Sequence, residues 1–112
     1  MIKGPSNRAA SVGDSVQFDC YVELLHVEYI SWRFNGRYVY HMHGHSVKYY
    51  DGTAKYSVTR SGKLFSLSVK NLTLDDEGIY ECSTVSDKKS ANLIVLGKSN
   101  LITAENLTKN NY

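Results

Sequence analysis

Three histidines alternate with other residues near the middle of the chain, and their spacing is the first feature that could support chemistry. On an unbroken strand His41, His43 and His45 would share one face, where imidazole nitrogens can bind zinc or copper. Gly44 interrupts such a strand, and no cysteine or carboxylate lies within the run. The pattern favours a partly exposed loop, so we expect neither a metal nor a cofactor.

Two further segments match catalytic or calcium-binding motifs only in part. Residues 44–48 begin like a nucleophile elbow but lack its second glycine and the helix that should follow. Residues 75–78 are acidic but too short for the calcium loop of an EF-hand. The sequence also has no glycine-rich phosphate loop and no Cys-x-x-Cys pair. We therefore predict that the chain is not an enzyme and has no small-molecule substrate.

Length and composition indicate one ordinary globular domain. The 112 residues are 42% hydrophobic and 21% charged with a single proline, which excludes collagen-like, coiled-coil and wholly disordered chains. A net charge of +2 is too small to indicate nucleic acid as a partner. The longest aliphatic run, Leu93 to Leu96, is far shorter than the roughly 20 residues of a membrane helix. The first residues also lack the apolar stretch of a signal peptide, which suits either a cytosolic protein or a mature segment.

Apolar and polar residues alternate in several short runs, which predicts an all-β domain. An Asn35-Gly36 pair follows one of these runs and is a strong signal for a two-residue hairpin turn. Many short strands at regular spacing indicate a sandwich or a barrel. We expect the domain to span residues 1–97 and the polar, Asn-rich residues 98–112 to be a linker or stalk. The predicted strands are residues 16–22, 30–34, 64–69, 79–85 and 92–96, with turns at residues 60–62 and 86–89.

Two cysteines and one tryptophan fall on the apolar positions of three predicted strands. Cys20 and Cys82 either form a disulfide in an oxidising compartment or are two buried thiols of a cytosolic protein. Trp32 lies between them in the sequence, also at a core position. Tyr80, two residues before the second cysteine, fits a corner motif in which a tyrosine hydroxyl bonds to the backbone of the preceding turn. This tyrosine favours the disulfide.

The sequence resembles a variable-type domain of the immunoglobulin superfamily. The resemblance implies a Greek-key β-sandwich with Cys20 on strand B disulfide-bonded to Cys82 on strand F, and with Trp32 of strand C packed on the sulfur atoms. It also implies that Lys55, where such domains usually carry arginine, pairs with Asp76. The spacing leaves an intermediate-set domain open. The matching segments are residues 13–20, Trp32, residues 55–58 and the Leu-x-x-x-Asp-x-Gly-x-Tyr-x-Cys run at residues 72–82.

The hairpin turn fixes a register that predicts which side chains face solvent. A two-residue turn places Arg33 opposite Tyr38 and Trp32 opposite Val39. If Trp32 and Val39 face the core, the neighbouring positions form an outer surface rich in tyrosine, methionine and arginine, residues that are enriched in protein interfaces. The resemblance implies the same surface, the sheet of strands G, F, C and C′. The candidate protein-binding residues are Tyr29, Arg33, Tyr38, Tyr40, Met42, Glu81, Ser83 and Val85.

Two Asn-x-Thr triplets are candidate sites for N-linked glycans, at Asn71 and Asn106. We expect both to lie away from the proposed binding surface, because Asn71 falls before strand F and Asn106 falls in the tail.

The resemblance implies an extracellular recognition domain of a cell-surface receptor or adhesion protein that is anchored in the membrane outside this segment. We expect its partner to be another immunoglobulin-like surface domain, with a homodimer left open. Two alternatives remain. One is a secreted or virus-encoded decoy that binds a host ligand. The other is an intracellular intermediate-type domain that acts as a spacer.

Overall fold

The computed structural model describes residues 2–23, 26–52 and 54–97, which form ten strands and one short 3-10 turn at Leu74–Asp76. The strands pack as two sheets, and no helix in the described part of the chain is long and apolar enough to cross a membrane. The strands are β1 (Ile2–Lys3), β2 (Arg8–Ser11), β3 (Val16–Val22), β4 (Tyr29–Phe34), β5 (Arg37–His43), β6 (Ser46–Tyr49), β7 (Tyr56–Ser61), β8 (Leu64–Val69), β9 (Gly78–Ser83) and β10 (Lys88–Leu96).

The two sheets contain four and six strands. Their orders are β1-β3-β8-β7 and β2-β10-β9-β4-β5-β6. All neighbours are antiparallel except β2 and β10, which run parallel. The prediction of an all-β sandwich is confirmed. The predicted turn at residues 86–89 is shorter than expected, because Lys88 and Lys89 already belong to β10.

A disulfide joins the two sheets. Cys20 of β3 is bonded to Cys82 of β9, with their Cα atoms 6.5 Å apart, so the predicted bridge is confirmed. Trp32 is fully buried and lies directly opposite Cys82 in the ladder between β4 and β9. Paired residues in a ladder point to the same side of a sheet, so the indole lies in the core on the same side as the cystine.

A buried tyrosine connects this core to the turn before β9. The ring of Tyr80 stacks between Phe18 and Phe34, with centroid distances of 4.9 and 4.7 Å. Its hydroxyl donates a hydrogen bond of 2.7 Å to the backbone oxygen of Asp76. Burial raises the pKa of Tyr80, because the phenolate would lose its hydration. The hydroxyl therefore stays protonated and keeps its donor role.

The carboxylate of Asp76 organises the 3-10 turn. Its Oδ2 accepts a hydrogen bond of 2.7 Å from the backbone N–H of Thr73, which caps the start of the turn. The same oxygen is paired with the ammonium of Lys55, which also donates to the backbone oxygen of Asn71. The single ammonium of Lys55 therefore interacts with two acceptors, the Asp76 carboxylate and the Asn71 backbone oxygen. It does so at the position where the resemblance leads us to expect an arginine.

The predicted register between β4 and β5 is wrong beyond the first two pairs. Arg33 is opposite Tyr38 as expected, but Trp32 is opposite Tyr40, because a β-bulge inserts Val39 as an extra residue. A one-residue shift moves every following side chain to the other face of the sheet. Tyr40 and Met42, predicted to face solvent, are therefore core residues with only 4% and 5% of their surface exposed.

Tyr49 and Arg60 form contacts between the two sheets at the side of the sandwich where β5 lies near β7. The hydroxyl of Tyr49 accepts a hydrogen bond of 2.9 Å from the backbone N–H of Val58 and donates to the oxygen of the same residue. The guanidinium of Arg60 lies 4.8 Å from the ring centroid of Phe65 and donates to the sulfur of Met42. These contacts explain how the methionine is enclosed at the edge of the core.

The predicted linker, residues 98–112, lies outside the described residues, so the boundary at residue 97 stays a prediction.

We expect Tyr40→Ala to destabilise the domain by about 3–5 kcal/mol, because it removes a buried aromatic side chain. Tyr38→Ala, on the same strand but exposed, should cost about 1 kcal/mol or less. Urea unfolding followed by tryptophan fluorescence measures both values. Equal losses would contradict the bulge, since the unbulged register places both tyrosines on one face.

Candidate protein-binding face

The solvent side of the six-stranded sheet, here called the outer face, is the candidate functional site. Its members follow from ladder pairing, because opposed residues on neighbouring strands point to the same side. Arg33 is opposite Glu81 and Tyr38, and His41 is opposite Ser31 and Lys48. The ladders also place on this side Tyr29, His43 and Ser46 of β4, β5 and β6, and Ile79, Ser83, Lys88, Ser90 and Asn92 of β9 and β10.

Four side chains of this face and its rim form a continuous stack, here called the aromatic stack: Arg33, Tyr38, Tyr50 and Lys48. The guanidinium carbon of Arg33 lies 4.4 Å from the ring centroid of Tyr38. The rings of Tyr38 and Tyr50 are nearly parallel with centroids 5.7 Å apart, and the ammonium of Lys48 lies 4.6 Å from the Tyr50 centroid. A cation therefore lies at each end of the stack. Cation–π attraction from both ends stabilises the positions of the two rings.

A histidine of β5 contacts the aromatic stack. His41 Nδ1 lies 2.7 Å from the hydroxyl oxygen of Tyr50, within hydrogen-bonding distance. The imidazole centroid is 6.4 Å from Tyr38 and 6.2 Å from Tyr29, and the ring of Tyr29 also approaches His43 at 6.3 Å. The aromatic rings thus form one connected surface across β4, β5 and the residue after β6.

The hydroxyl of Tyr38 is the polar centre of this surface. Arg33 Nη2 donates a hydrogen bond of 2.6 Å to its oxygen. Hydrogen bonding from Tyr29, followed by that from Arg33, lowers the pKa of Tyr38, because both donors stabilise the phenolate. Burial raises the pKa of Tyr29. The two neighbouring phenols therefore differ in acidity, and Tyr38 is the stronger acid of the pair.

Arg33 also borders a shallow depression of about 380 Å³ toward the loop between β9 and β10. Its Nε is enclosed and has no hydrogen-bond partner among the described residues. Glu81 and Lys88 line the same depression, with Val85 on the loop beyond β9. Val85 is 85% exposed, which makes it the most exposed large apolar side chain in the described part of the chain.

Two serines on the outer side of β4 and β9 are paired with each other. Ser31 and Ser83 point to the outer side but are buried, and their hydroxyl oxygens are 2.7 Å apart in a mutual hydrogen bond. Ser83 lies on the predicted side of the sheet, but it is buried and its hydroxyl is already paired, so its contact with a partner stays a prediction.

The structure brings together Tyr29, Arg33, Tyr38 and Glu81 and removes Tyr40 and Met42 from the predicted surface. Sequence reasoning missed His41, Lys48 and Tyr50. The bulge reverses the face of His41, and Tyr50 follows the end of β6, where alternation gives no information. Within residues 2–23, 26–52 and 54–97, no group of three or more His, Cys, Asp or Glu side chains is arranged to hold a metal.

The predicted glycan site at Asn71 lies on the connection between β8 and the 3-10 turn. The residue is exposed and has a φ of 48°, and its backbone oxygen accepts from Lys55. Asn106 lies outside the described residues.

Comparisons with known proteins agree on the fold. Residues 3–96 match the immunoglobulin V-set domain family. Among solved structures, a single titin domain is similar at 22% identity with a TM-score of 0.67, covering 85% of this chain and 98% of that one. A three-domain titin segment has 25% identity and a TM-score of 0.69 over 87% of this chain and 32% of that one. The twitchin kinase region from C. elegans has 19% identity and a TM-score of 0.68, covering 84% and 16%. A comparison with curated proteins found no match.

We expect Tyr38 to ionise before Tyr29 as the pH is raised, because the hydrogen bonds to Tyr38 stabilise its phenolate and burial disfavours that of Tyr29. Removing the Tyr29 hydroxyl in Tyr29→Phe should raise the pKa of Tyr38. Tyr49→Phe removes an inner-face hydroxyl and should leave that titration unchanged. NMR titration of the tyrosine Cζ signals measures these changes, and an unchanged Tyr38 in Tyr29→Phe would contradict the hydrogen bond.

Proposed function

The chain belongs to the immunoglobulin V-set domain family, and from that membership we propose that it is an extracellular recognition domain of a cell-surface receptor or adhesion molecule. Domains of this kind generally mediate protein interactions. The outer face is the surface that we propose for binding another immunoglobulin-like or surface protein.

The aromatic stack is the observation that carries this proposal. Tyr38 and Tyr50 remain 37% and 39% exposed although their rings are held by cations and by each other. Tyrosine and arginine supply much of the binding energy in protein interfaces, since they offer large areas with few rotatable bonds and a polar group. Rings already fixed in the free protein lose little side-chain entropy on binding.

Two other features support an extracellular location. The Cys20–Cys82 disulfide needs an oxidising compartment to form and persist. The Asn71 triplet is exposed on a turn that does not belong to the outer face, so a glycan there would leave the aromatic stack free. A secreted decoy would use the same surface, and the sequence that follows residue 112 in the parent protein discriminates between the two.

The intracellular spacer is the alternative from another class. The titin and twitchin structures are 25% identical or less, so their similarity concerns the fold. The thiol state decides between the two classes. A spacer in a reducing compartment would carry two thiols, whereas a receptor domain carries the disulfide.

We expect Tyr38→Ala and Arg33→Ala each to weaken binding about 30-fold, because both remove a central, preordered contact. The protein, displayed as a multimer, is screened against a panel of surface ectodomains, and the variants are compared by surface plasmon resonance on the partner found. Tyr21→Ala is the matched control, since this tyrosine is 40% exposed on the other sheet. Unchanged binding by both variants, at unchanged melting temperature, would contradict the outer face as the binding site.

We expect protein purified from its native source to contain the disulfide and to carry a glycan on Asn71. Non-reducing peptide mapping by mass spectrometry detects both, and Asn71→Gln produced in secretory cells should lose one glycan mass. Native material with Cys20 and Cys82 reduced would contradict the extracellular proposal and favour the spacer.

A further inference from the structure

We propose that the outer face binds an acidic segment of a different protein and not a second copy of this chain. The inference rests on the proposed function, because it names the chemistry of the partner at the same surface.

The charges on the outer face are unequal. Arg33, Lys48 and Lys88 contribute three cations, as their ladder partners Glu81, His41 and Ser83 place them on this side. Glu81 is the one carboxylate among the described residues that the ladders place there.

Asp87, on the adjacent loop, lines the same depression as Arg33 and Lys88 and keeps its negative charge, but it forms no ion pair with these cations among the described residues. Its two carboxylate oxygens accept hydrogen bonds from the backbone N–H groups of Ile2 and Lys88, at 2.9 and 2.8 Å. Both oxygens are therefore already used to hold the first strand and the start of β10. With Asp87 counted beside Glu81, the outer face and its rim still have three cations against two carboxylates.

The cations at the ends of the aromatic stack are available to a partner. Arg33 uses one Nη donor for the Tyr38 hydroxyl, and no ion pair involves Arg33 or Lys48 among the described residues. Glu81 is opposite Arg33 in the ladder, yet their charged groups are not within ion-pair distance. Two unpaired cations on either side of two exposed rings match a ligand that combines carboxylates with apolar or aromatic groups.

A second copy cannot meet this requirement. In a symmetric dimer the same patch faces itself, so each copy would offer Glu81 as one carboxylate for three cations. Even with Asp87 counted, at least one cation per copy would stay unpaired or approach its equivalent, which opposes association. An acidic partner removes this mismatch and would be attracted from a distance.

A random copolymer of glutamate and tyrosine is a suitable probe, because it offers both groups without a fixed shape. We expect it to bind the intact chain and to shift the NMR signals of Tyr38, Tyr50 and His41. Affinity should exceed that of polyglutamate of equal length by about threefold and fall at least about threefold between roughly 0.05 and 0.3 M salt. Sedimentation of the protein alone should show a monomer at both salt concentrations.

Matched charge variants test whether the effect belongs to this face. We expect Lys48→Gln combined with Lys88→Gln to weaken copolymer binding about five- to tenfold. Arg37→Gln combined with Lys63→Gln removes the same net charge from positions off the outer face and should leave binding nearly unchanged. Arg37 is opposite the core residue Phe34, and Lys63 lies in the turn between β7 and β8 of the other sheet.

Each contrary result overturns the inference. The inference is wrong if the copolymer does not bind, or if the two double variants lose the same affinity. It is also wrong if heparin binds more tightly than the copolymer at matched charge, a result that would indicate a sulfated glycan as the ligand. Self-association that is lost in Tyr38→Ala would overturn it while supporting the proposed function, because the same face would then bind protein as a homodimer. If neither the copolymer nor any protein partner bound at the outer face, both the inference and the proposed function would be contradicted.

Discussion

The disulfide between Cys20 and Cys82 is the constraint on which the rest of the structure depends. It joins an inner strand of the four-stranded sheet to an inner strand of the six-stranded sheet across 62 residues of sequence, which is worth roughly 4 kcal/mol on the chain-entropy model. With β9 fixed in this way, Trp32 and Tyr80 have defined places in the core. On the solvent side of β9, Glu81 then lies opposite Arg33 of β4.

The bulge at Val39 is the second feature that determines the outer face. Beyond it, the alternation of inward and outward side chains along β5 is reversed. Before it, Tyr38 faces solvent, and after it Tyr40 faces the core while His41 takes the outer position. Without the extra residue the histidine would point inward and Tyr50 would lose its hydrogen-bonding neighbour. One inserted residue therefore converts a regular hairpin into a surface where an imidazole and three phenol rings meet.

Most of the fold could be predicted from local signals, and part of the binding face could not. Alternation located β3 and β8 with their bounds, and the Asn35-Gly36 pair predicted the turn, where both residues have positive φ. The bulge left no such signal, because it depends on how β5 packs against both β4 and β6. The burial of Ser83 was equally hidden, since it depends on packing by residues distant in the sequence and not on local alternation.

The hydroxyl of Tyr49 has a consequence for how these molecules behave at high concentration. Strand β7 is the edge of its sheet, and an edge normally offers unpaired backbone groups to any extended chain that meets it. Tyr49 occupies both the N–H and the oxygen of Val58, near the middle of that edge. A foreign strand would have to displace a phenol from two hydrogen bonds before it could pair with β7, so this single side chain opposes aggregation along that edge.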